Sequence, residues 1–327
     1  MTENVTEINT STKISQAAKR VSFAGGLLFF ILYVILPFIG SAYLVNLLLI
    51  FFIYVAYSEG WNIMSGLTGY VNFGYSIFSG VSGYASAILI IDLGIYWPIA
   101  WIAGAVFSII VAFLLGGIML RLRGSYFAIG MLALLLGVKL LFASKYLAPV
   151  TRGGYGFPFI EPVSQTTMYY AAGIVTMFSI FIAYKIITSP FGTRLISIRE
   201  DEEAAGSLGI NATKEKISAF AISAFIGGIA GSIHVAFSNY LEPDTAFSTQ
   251  WTILPIVMVL LGGQGTVWGP VIGAIILTFI EEIFWSYFPG SYMMIYALVM
   301  IFLVIWMPKG IIESLKDKEV LPRTRAI

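Results

Sequence analysis

Hydrophobic runs long enough to cross a membrane alternate along this chain with short polar segments. A spanning helix needs roughly 20 apolar residues. On that criterion the sequence predicts about ten spans, near residues 22–40, 43–58, 68–91, 97–120, 126–147, 168–188, 217–238, 251–264, 269–287 and 291–307. The third span and the eighth and ninth are so rich in glycine that we expect broken or re-entrant helices there. The pattern therefore predicts an all-α, polytopic membrane protein.

The polar ends of the chain set the limits of the predicted membrane domain. Residues 1–20 form a predicted N-terminal tail, residues 21–307 the transmembrane domain, and residues 308–327 a C-terminal tail. The hydrophobic run that starts at Val21 is too long for the core of a signal peptide, and no small-residue cleavage site follows it. We therefore expect this run to be retained as the first span.

Composition agrees with a membrane protein and excludes several other classes. The chain is 58% hydrophobic and 11% charged, and its mean hydropathy is +0.90. The net charge of +1 creates no field that favours nucleic acid. Because cysteine is absent, disulfides, thiolate nucleophiles and cysteine-based metal sites are excluded. The sequence contains neither the P-loop pattern G-x-x-x-x-G-K-S/T nor H-E-x-x-H, so we predict no enzymatic centre, no nucleotide site, no metal site and no cofactor in this chain.

The distribution of Lys and Arg predicts the orientation in the membrane, because these residues concentrate in cytoplasmic loops. With the N-terminus inside, fifteen of them fall on the cytoplasmic side: Lys13, Lys19, Arg20, Arg121, Arg123, Lys185, Arg194, Arg199, Lys214, Lys216, Lys309, Lys316, Lys318, Arg323 and Arg325. Two, Lys145 and Arg152, fall outside, and Lys139 lies within a span. We therefore expect a multi-pass protein of the plasma membrane with both termini in the cytoplasm.

The longest polar passage between two spans is the segment 189–216, on the predicted cytoplasmic side. A helix is expected to begin at Thr193 or in the preceding Ser-Pro-Phe-Gly turn and to end at Gly209. On that helix one arc holds Leu195, Ile198, Ala205 and Leu208. Small side chains at Ala204, Ala205 and Gly206 leave the backbone bare, so that a partner surface can approach closely while Glu203 supplies a charge that fixes the register.

Residues Glu203 to Gly209 read E-A-A-x-x-x-G, which is similar to the EAA loop that docks on a separate ATPase subunit in ABC importer permeases. The longer context, SPFGTRLISIREDEEAAGSLGIN before a glycine-rich hydrophobic helix, resembles the permease family for branched-chain amino acids, the LivM type. The resemblance runs from about residue 55 to 307. An extended EAA pattern continues with I-x-L-P, which residues 219–222 do not supply. A chance E-A-A-G in a solvated loop is the alternative interpretation.

This resemblance implies a set of partners and a coupling site. It implies a second, homologous permease, two cytoplasmic ATPase subunits that bind the ATP, an extracytoplasmic binding protein, and leucine, isoleucine or valine as substrate. The residues that it implies for coupling to the ATPase are Arg199, Glu203, Ala204, Ala205 and Gly209. Related permeases carry urea, short amides or other amino acids, and the sequence does not discriminate among these substrates.

Two further motifs resemble segments of the same family. Residues 66–75 resemble a G-x-x-G-x-x-S-L-G-H region, with Asn72 for the Ser and Tyr75 for the His; they are candidates for the substrate path, although close helix packing explains the glycines as well. Residues 121–129 resemble the entry to the fifth span, where the arginines also act as an orientation signal.

The loop after the fifth span resembles the T-G-G-x-x-G loop of the family. Its residues Gly153, Gly154 and Tyr155 are candidates for docking the binding protein, or simply part of a flexible loop anchored by aromatic side chains. The glycine motifs at 66–71 and 262–267 are similar to each other, as in transporters with internal repeats. However, both fall on the cytoplasmic side, which an inverted repeat of five spans does not explain.

Ionisable residues within spans are costly and therefore candidates for the transport path. Lys139 lies in the fifth span, His234 in the seventh, and Glu281 and Glu282 in the ninth. They line a water-filled path or pair between helices, for example Lys139 with Glu282. Glu59 and Asp92 lie near span ends and are interpreted as interfacial.

Two functions of other classes remain open at this point. A stand-alone secondary transporter needs buried carboxylates near the middle of the membrane, whereas the acidic residues here are mostly predicted near span ends. Gly80-Val81-Ser82-Gly83 matches the G-x-S-G of rhomboid intramembrane proteases, with His234 as the possible base. The second histidine that rhomboids carry has no counterpart, because the chain has a single histidine.

Overall fold

The computed structural model of this chain describes residues 33–158, 163–288, 290, 291, 294, 297, 298, 301, 302 and 310–317. The predicted N-terminal tail, most of the first predicted span, much of the last one and the end of the C-terminal tail lie outside these residues. Contacts divide the chain into two units, Met1–Leu48 and Leu49–Ile327. In the first unit residues 33–39 are helical and helix α1 begins at Ala42. The second unit contains the remaining helices.

The described chain is almost entirely helical. Its longer helices are α1 (Ala42–Trp61), continued by a π-helix (Asn62–Gly66), α2 (Ser76–Ile91), α3 (Trp97–Met119), α4 (Ser125–Ala143), α6 (Gln165–Ile187), α7 (Pro190–Glu200), α9 (Ala212–Ser238), α11 (Thr249–Gly262) and α12 (Gly269–Tyr287). Shorter elements are α5 (Ala148–Thr151), a 3-10 turn (Gly153–Tyr155), α8 (Glu202–Ser207), α10 (Pro243–Ala246) and α13 (Gly310–Asp317). Strands β1 (Phe157–Pro158) and β2 (Tyr240–Leu241) pair in antiparallel fashion.

Seven of the described helical segments are long and apolar enough to cross a membrane, namely Ala42–Gly66, Trp97–Met119, Ser125–Ala143, Gln165–Ile187, Ala212–Ser238, Pro243–Gly262 and Gly269–Tyr287. Helix α2 is apolar but shorter. The prediction of an all-α polytopic membrane protein is therefore confirmed. The number of about ten spans stays a prediction, since parts of the first and last lie outside the described residues.

Both glycine-rich segments are broken, as the sequence predicts, but the third span starts later than expected. Residues 69–75 are not helical and α2 begins at Ser76, not at residue 68. Gly69 has a φ of +75°, and in the second break Gly263 and Gly265 have φ values of +140° and +75°. Positive φ suits glycine and interrupts a right-handed helix. Glycine therefore allows each helix to end here without the steric strain that a side chain causes at positive φ.

Helix α9 packs at the centre of the second unit through small residues. A Cβ added at Gly231 would lie 2.3 Å from the Cα of Ser79 on α2, and one at Gly228 would lie 3.1 Å from the Cα of Ala105 on α3. Ser82 and Ser232 share a hydrogen bond of 2.7 Å across the α2–α9 contact. Small residues and hydroxyl pairs are typical of helix contacts in membranes, where backbones approach closely.

Contacts between loops define two ends of the second unit. We call one of them the loop end, where four segments meet: 66–75, 120–124, 188–211 and 263–268. The ion pair of Arg123 with Glu203 (3.0 Å) is one contact between these segments. We call the other the hairpin end, where three segments meet: 92–96, 143–158 and 239–248. The β1–β2 pair and the Arg152–Asp92 ion pair (3.0 Å) connect these segments. The segment 189–216 thus caps one end of the helices.

Candidate functional site

The segment 189–216 folds as two helices where the sequence predicts one. Helix α7 ends at Glu200 and α8 starts at Glu202, because Asp201 between them is extended (φ −158°, ψ 111°). The Asp201 carboxylate accepts hydrogen bonds of 2.9 Å from the backbone N–H groups of Glu203 and Ala204. An aspartate at this N-cap position satisfies amides that a new helix leaves free. The predicted stop at Gly209 agrees with its φ of +84° just after α8.

The break at Asp201 changes which residues face the spans. Leu195, Ile198 and Ala205, which share the predicted arc, are buried, with 0%, 3% and 2% of their surface exposed. Leu208, the fourth residue of that arc, is instead 81% exposed. The extended residue resets the helical phase, so that the arc drawn for one continuous helix does not extend to the end of α8. The segment therefore packs on the spans through buried residues of α7, whereas its end around Leu208 is exposed. We refer to 189–216 as the docked segment.

A largely buried cluster of Glu202, Lys216 and Tyr70 connects α8 to α9. The Lys216 ammonium lies 2.8 Å from Glu202 Oε1, and its side chain is 2% exposed. The Tyr70 hydroxyl donates to Glu202 Oε2 at 2.5 Å and accepts from Lys216 at 2.9 Å. Burial raises the pKa of Glu202, but the hydrogen bonds from Lys216 and Tyr70 outweigh it, so the pKa of this carboxyl lies below its ordinary value. For Tyr70, burial and then the bond to Glu202 raise the pKa.

Sequence reasoning selected Glu203 and missed its neighbour Glu202. Glu203 is exposed and pairs at the surface with Arg123, whose pKa this hydrogen bond raises. A surface pair of this kind contributes little to stability. The signal that marks Glu202 is Lys216 at the start of a hydrophobic span, because a lysine buried there needs a carboxylate partner.

Arg199 on α7 extends from the docked segment to both glycine-rich breaks. Its Nη1 donates to the backbone oxygen of Gly66 at 3.1 Å, and its Nη2 donates to Glu200 Oε1 at 3.0 Å. A Cβ added at Gly69 would lie 2.9 Å from Arg199 Cγ, and one at Gly265 would lie 3.2 Å from Arg199 Nη1. Glycine at these positions therefore makes room for the guanidinium.

Asn62, in the π-helix, joins the two breaks directly. Its Nδ2 donates to the backbone oxygen of Thr266 at 2.9 Å, and its Oδ1 accepts from the backbone N–H of Gly265 at 2.8 Å. Gln264 adds a hydrogen bond of 3.2 Å from its Nε2 to the backbone oxygen of Ser65. The two similar glycine motifs of the sequence therefore meet at the loop end. We call this set, Asn62, Ser65, Gly66, Arg199, Gln264, Gly265 and Thr266, the break junction.

The tip of the segment offers a surface without bulky cover. Ala204, Ser207 and Gly209 are exposed beside Leu208. Cβ atoms added at Gly206 or Gly209 would meet open space within 4 Å. A bare backbone next to one exposed apolar side chain is suited to close approach by another protein. We call the exposed residues Ala204, Gly206, Ser207, Leu208 and Gly209 the tip surface.

The candidates for a substrate path do not form one cluster among the described residues. Asn72 and Tyr75 are fully buried: the backbone oxygen of Asn72 accepts from Trp61 Nε1 at 3.0 Å, and the Tyr75 hydroxyl donates to the backbone oxygen of Ser223 at 3.0 Å. The His234 ring centroid lies 3.7 Å from that of Trp251.

Two expectations about charged residues are wrong. Lys139 pairs with Asp244 at 2.5 Å at the hairpin end and not with Glu282, which lies on α12. The expected position of Glu59 at a span end is wrong, since the π-helix continues α1 to Gly66, and the Glu59 side chain is fully buried. Asp92, by contrast, follows the last residue of α2 and is partly exposed beside Arg152.

The candidate docking loop lies at the hairpin end. Gly153 is buried with a φ of +58°, whereas Gly154 is exposed with open space around it, and Tyr155 is 89% exposed. The Tyr240 hydroxyl donates to the backbone oxygen of Tyr155. The loop is therefore anchored to the strand pair and presents one aromatic side chain outward.

The rhomboid-type pair is not formed among the described residues. The Ser82 hydroxyl bonds to Ser232, while the ring of His234 packs on Trp251. A nucleophile and its base need to be within hydrogen-bond reach of each other.

The Glu202 cluster yields a stability prediction. A carboxyl whose folded pKa is lowered stabilises the fold above its unfolded pKa and loses this effect as the pH falls through the folded value. We expect Glu202→Gln to lower the melting temperature of the purified chain at pH 7, with the difference shrinking as the pH falls below about 4.3, the ordinary value for Glu. Glu203→Gln is the control and changes the melting temperature little. A Glu202→Gln difference that persists unchanged in acid contradicts this account.

Comparison with known proteins adds the family. Residues 43–305 match the family model described as branched-chain amino acid transport system / permease component. The chain is 28% identical over 312 residues to the high-affinity branched-chain amino acid transport system permease protein LivM of Salmonella typhimurium and of Escherichia coli, covering 86% of this chain and 73% of each relative. It is 26% identical over 225 residues to the probable LivM of Methanocaldococcus jannaschii, covering 64% of both chains. No solved structure matches. The chain belongs to the permease family of branched-chain amino acid transport systems.

Proposed function

We propose that this chain is the membrane-spanning permease subunit of an ATP-driven importer for leucine, isoleucine or valine, with the ATP bound by separate subunits. The observation that carries the proposal is the tip surface, which is exposed at Ala204 and at 206–209, while Arg199 and Glu202 of the same segment bind to the spans. Family membership supports the permease role, and the fifteen-to-two bias of Lys and Arg supports a cytoplasmic position for the tip.

The contacts of the docked segment suggest how motion passes from an ATPase to the membrane. A displacement of α8 acts on α9 through Glu202 and Lys216, and a displacement of α7 acts on α1 and α11 through Arg199 and the break junction. The segment 189–216 also connects directly to the flanking spans, α6 and α9. In the proposed mechanism four spans receive the motion, because the junction connects helices that are not adjacent in the sequence.

The remaining partners follow from the two ends of the molecule. A second, homologous permease completes the path, two ATPase subunits dock on the tip surfaces, and an extracytoplasmic binding protein docks near Gly153, Gly154 and Tyr155 at the opposite end. The exposed Tyr155 suits such a contact, since aromatic side chains are enriched in interfaces.

The tip surface is tested by adding bulk where the structure has open space. We expect Gly206→Trp to abolish ATP-dependent leucine uptake in cells that express the whole importer, because the indole blocks docking of the ATPase without disturbing the fold. Gly137→Trp is the control: it also points into open space but lies on α4. Co-purification of the ATPase is measured in parallel and is expected to be lost only in Gly206→Trp. Normal uptake by Gly206→Trp contradicts the proposal, as does gradient-driven uptake by the permease reconstituted without any ATPase.

The break junction is tested by removing the guanidinium group of Arg199. We expect Arg199→Ala to keep ATP hydrolysis by the assembled complex and to lower leucine uptake per ATP hydrolysed, since α1 and α11 no longer follow α7. Arg194→Ala is the control on the same helix, because Arg194 pairs at 2.8 Å with Glu215 and not with the junction. An equal ratio of uptake to hydrolysis in Arg199→Ala, Arg194→Ala and wild type contradicts transmission through the junction.

A further inference from the structure

Glu59 is a carboxyl group enclosed within the membrane domain. It lies on α1, one turn before the π-helix that starts at Asn62, and it has 0% of its surface exposed. Neither of its carboxylate oxygens has a hydrogen-bond partner among the described residues. An unpaired, ionised carboxylate costs several kcal/mol to bury, so a group of this kind needs neutralisation by a proton or a cation.

The polar groups around Glu59 on α1 are satisfied without it. The Ser58 hydroxyl donates to the Met258 sulfur at 3.3 Å, and Asn62 is bound to residues 265 and 266. On the side of Gly60, an added Cβ would lie 2.2 Å from the Tyr75 hydroxyl. Glu59 therefore supplies no hydrogen bond that holds this part of the core together, and helix packing does not account for an acidic residue here.

We propose that Glu59 binds the ammonium group of the transported amino acid within the membrane. This inference rests on the proposed function. A carboxylate accepts hydrogen bonds and an ammonium donates them, so the two form a charge-assisted pair. A metal ion needs several oxygen ligands, whereas no group of three or more His, Asp or Glu that could hold a metal occurs among the described residues. A branched aliphatic amino acid carries one cation, its ammonium.

The position of Glu59 connects this site to the docked segment. Asn62 follows it by one helical turn and Gly66, which accepts from Arg199, by two. The π-helix 62–66 lies between Glu59 and the end of this helix, and π-helical turns are frequent at functional sites. A change in this turn rotates the residues before it, so that the junction that receives motion from α7 also controls whether Glu59 faces a neighbouring helix or the path.

The test separates a need for charge from a need for shape. Glu59→Gln has the shape of a protonated glutamate without the ability to ionise, and Glu59→Asp keeps the charge on a shorter side chain. In vesicles that contain the whole importer, we expect Glu59→Gln to lower ATP-driven leucine uptake by roughly 10- to 100-fold, as for loss of a hydrogen bond to a charged group. Glu59→Asp keeps a larger share of the uptake. Glu313→Gln, at an exposed carboxylate, is the control and transports as wild type.

Three readouts make the outcome decisive. We expect Glu59→Gln to keep the wild-type melting temperature and the ATP hydrolysis of the assembled complex, so that only transport is lost. Wild-type uptake by Glu59→Gln overturns the inference, because a neutral group then suffices. Equal loss of uptake and of melting temperature in Glu59→Gln and Glu59→Asp also overturns it, since the role is then structural. Failure of the proposed function is distinct: wild-type vesicles then show no ATP-dependent uptake at all.

Discussion

Inside a protein, each buried backbone N–H and C=O that a helix break frees needs a hydrogen-bond partner, because an unpaired buried polar group is costly. In this chain the π-helix that continues α1 ends at Gly66 and α11 ends at Gly262, and the break junction supplies some of the hydrogen-bond partners that both ends need. Asn62 provides the donor and the acceptor for residues 265 and 266, and Arg199 provides a donor for Gly66. The other features of the loop end depend on this exchange, since it connects two separated spans to α7.

This constraint explains why the docked segment suits force transmission. The segment is held through Arg199 at the junction and through Glu202 at Lys216, while Leu195 and Ile198 are buried beneath it. The charges at its attachment points are paired within the protein and the residues at its tip are small. Because the segment is bonded to several helices, we expect those helices to move with it when a partner displaces its exposed tip surface. Glu59 lies along the same helix as the junction, which places the proposed ammonium site within two turns of the attachment.

The sequence predicted those parts of the structure that depend on length, hydropathy and backbone freedom. The described spans follow from runs of apolar residues, and the breaks at 69–75 and 263–268 follow from glycine. The family followed from the segment around Ala204, and the comparisons confirm it. The residues chosen for coupling, path and docking remain predictions.

Contacts between distant helices could not be read from the sequence. Lys139 pairs with Asp244 because α4 meets α10, and Glu59 is enclosed by helices whose arrangement no periodicity reveals. The choice of Glu203 over Glu202 had a more local cause: Asp201 caps a new helix and turns the two glutamates to opposite surroundings. One extended residue thus decided which glutamate became buried and which stayed at the surface.

The most direct test of the account is the side of the membrane on which the tip surface lies. Because the chain has no cysteine, Leu208→Cys gives a single reactive thiol at a position that is 81% exposed. We predict that an impermeant thiol reagent labels it in inside-out vesicles and not in intact cells, and that the bound ATPase protects it. Labelling in intact cells would place the tip outside, beyond reach of any ATPase, and would contradict the account.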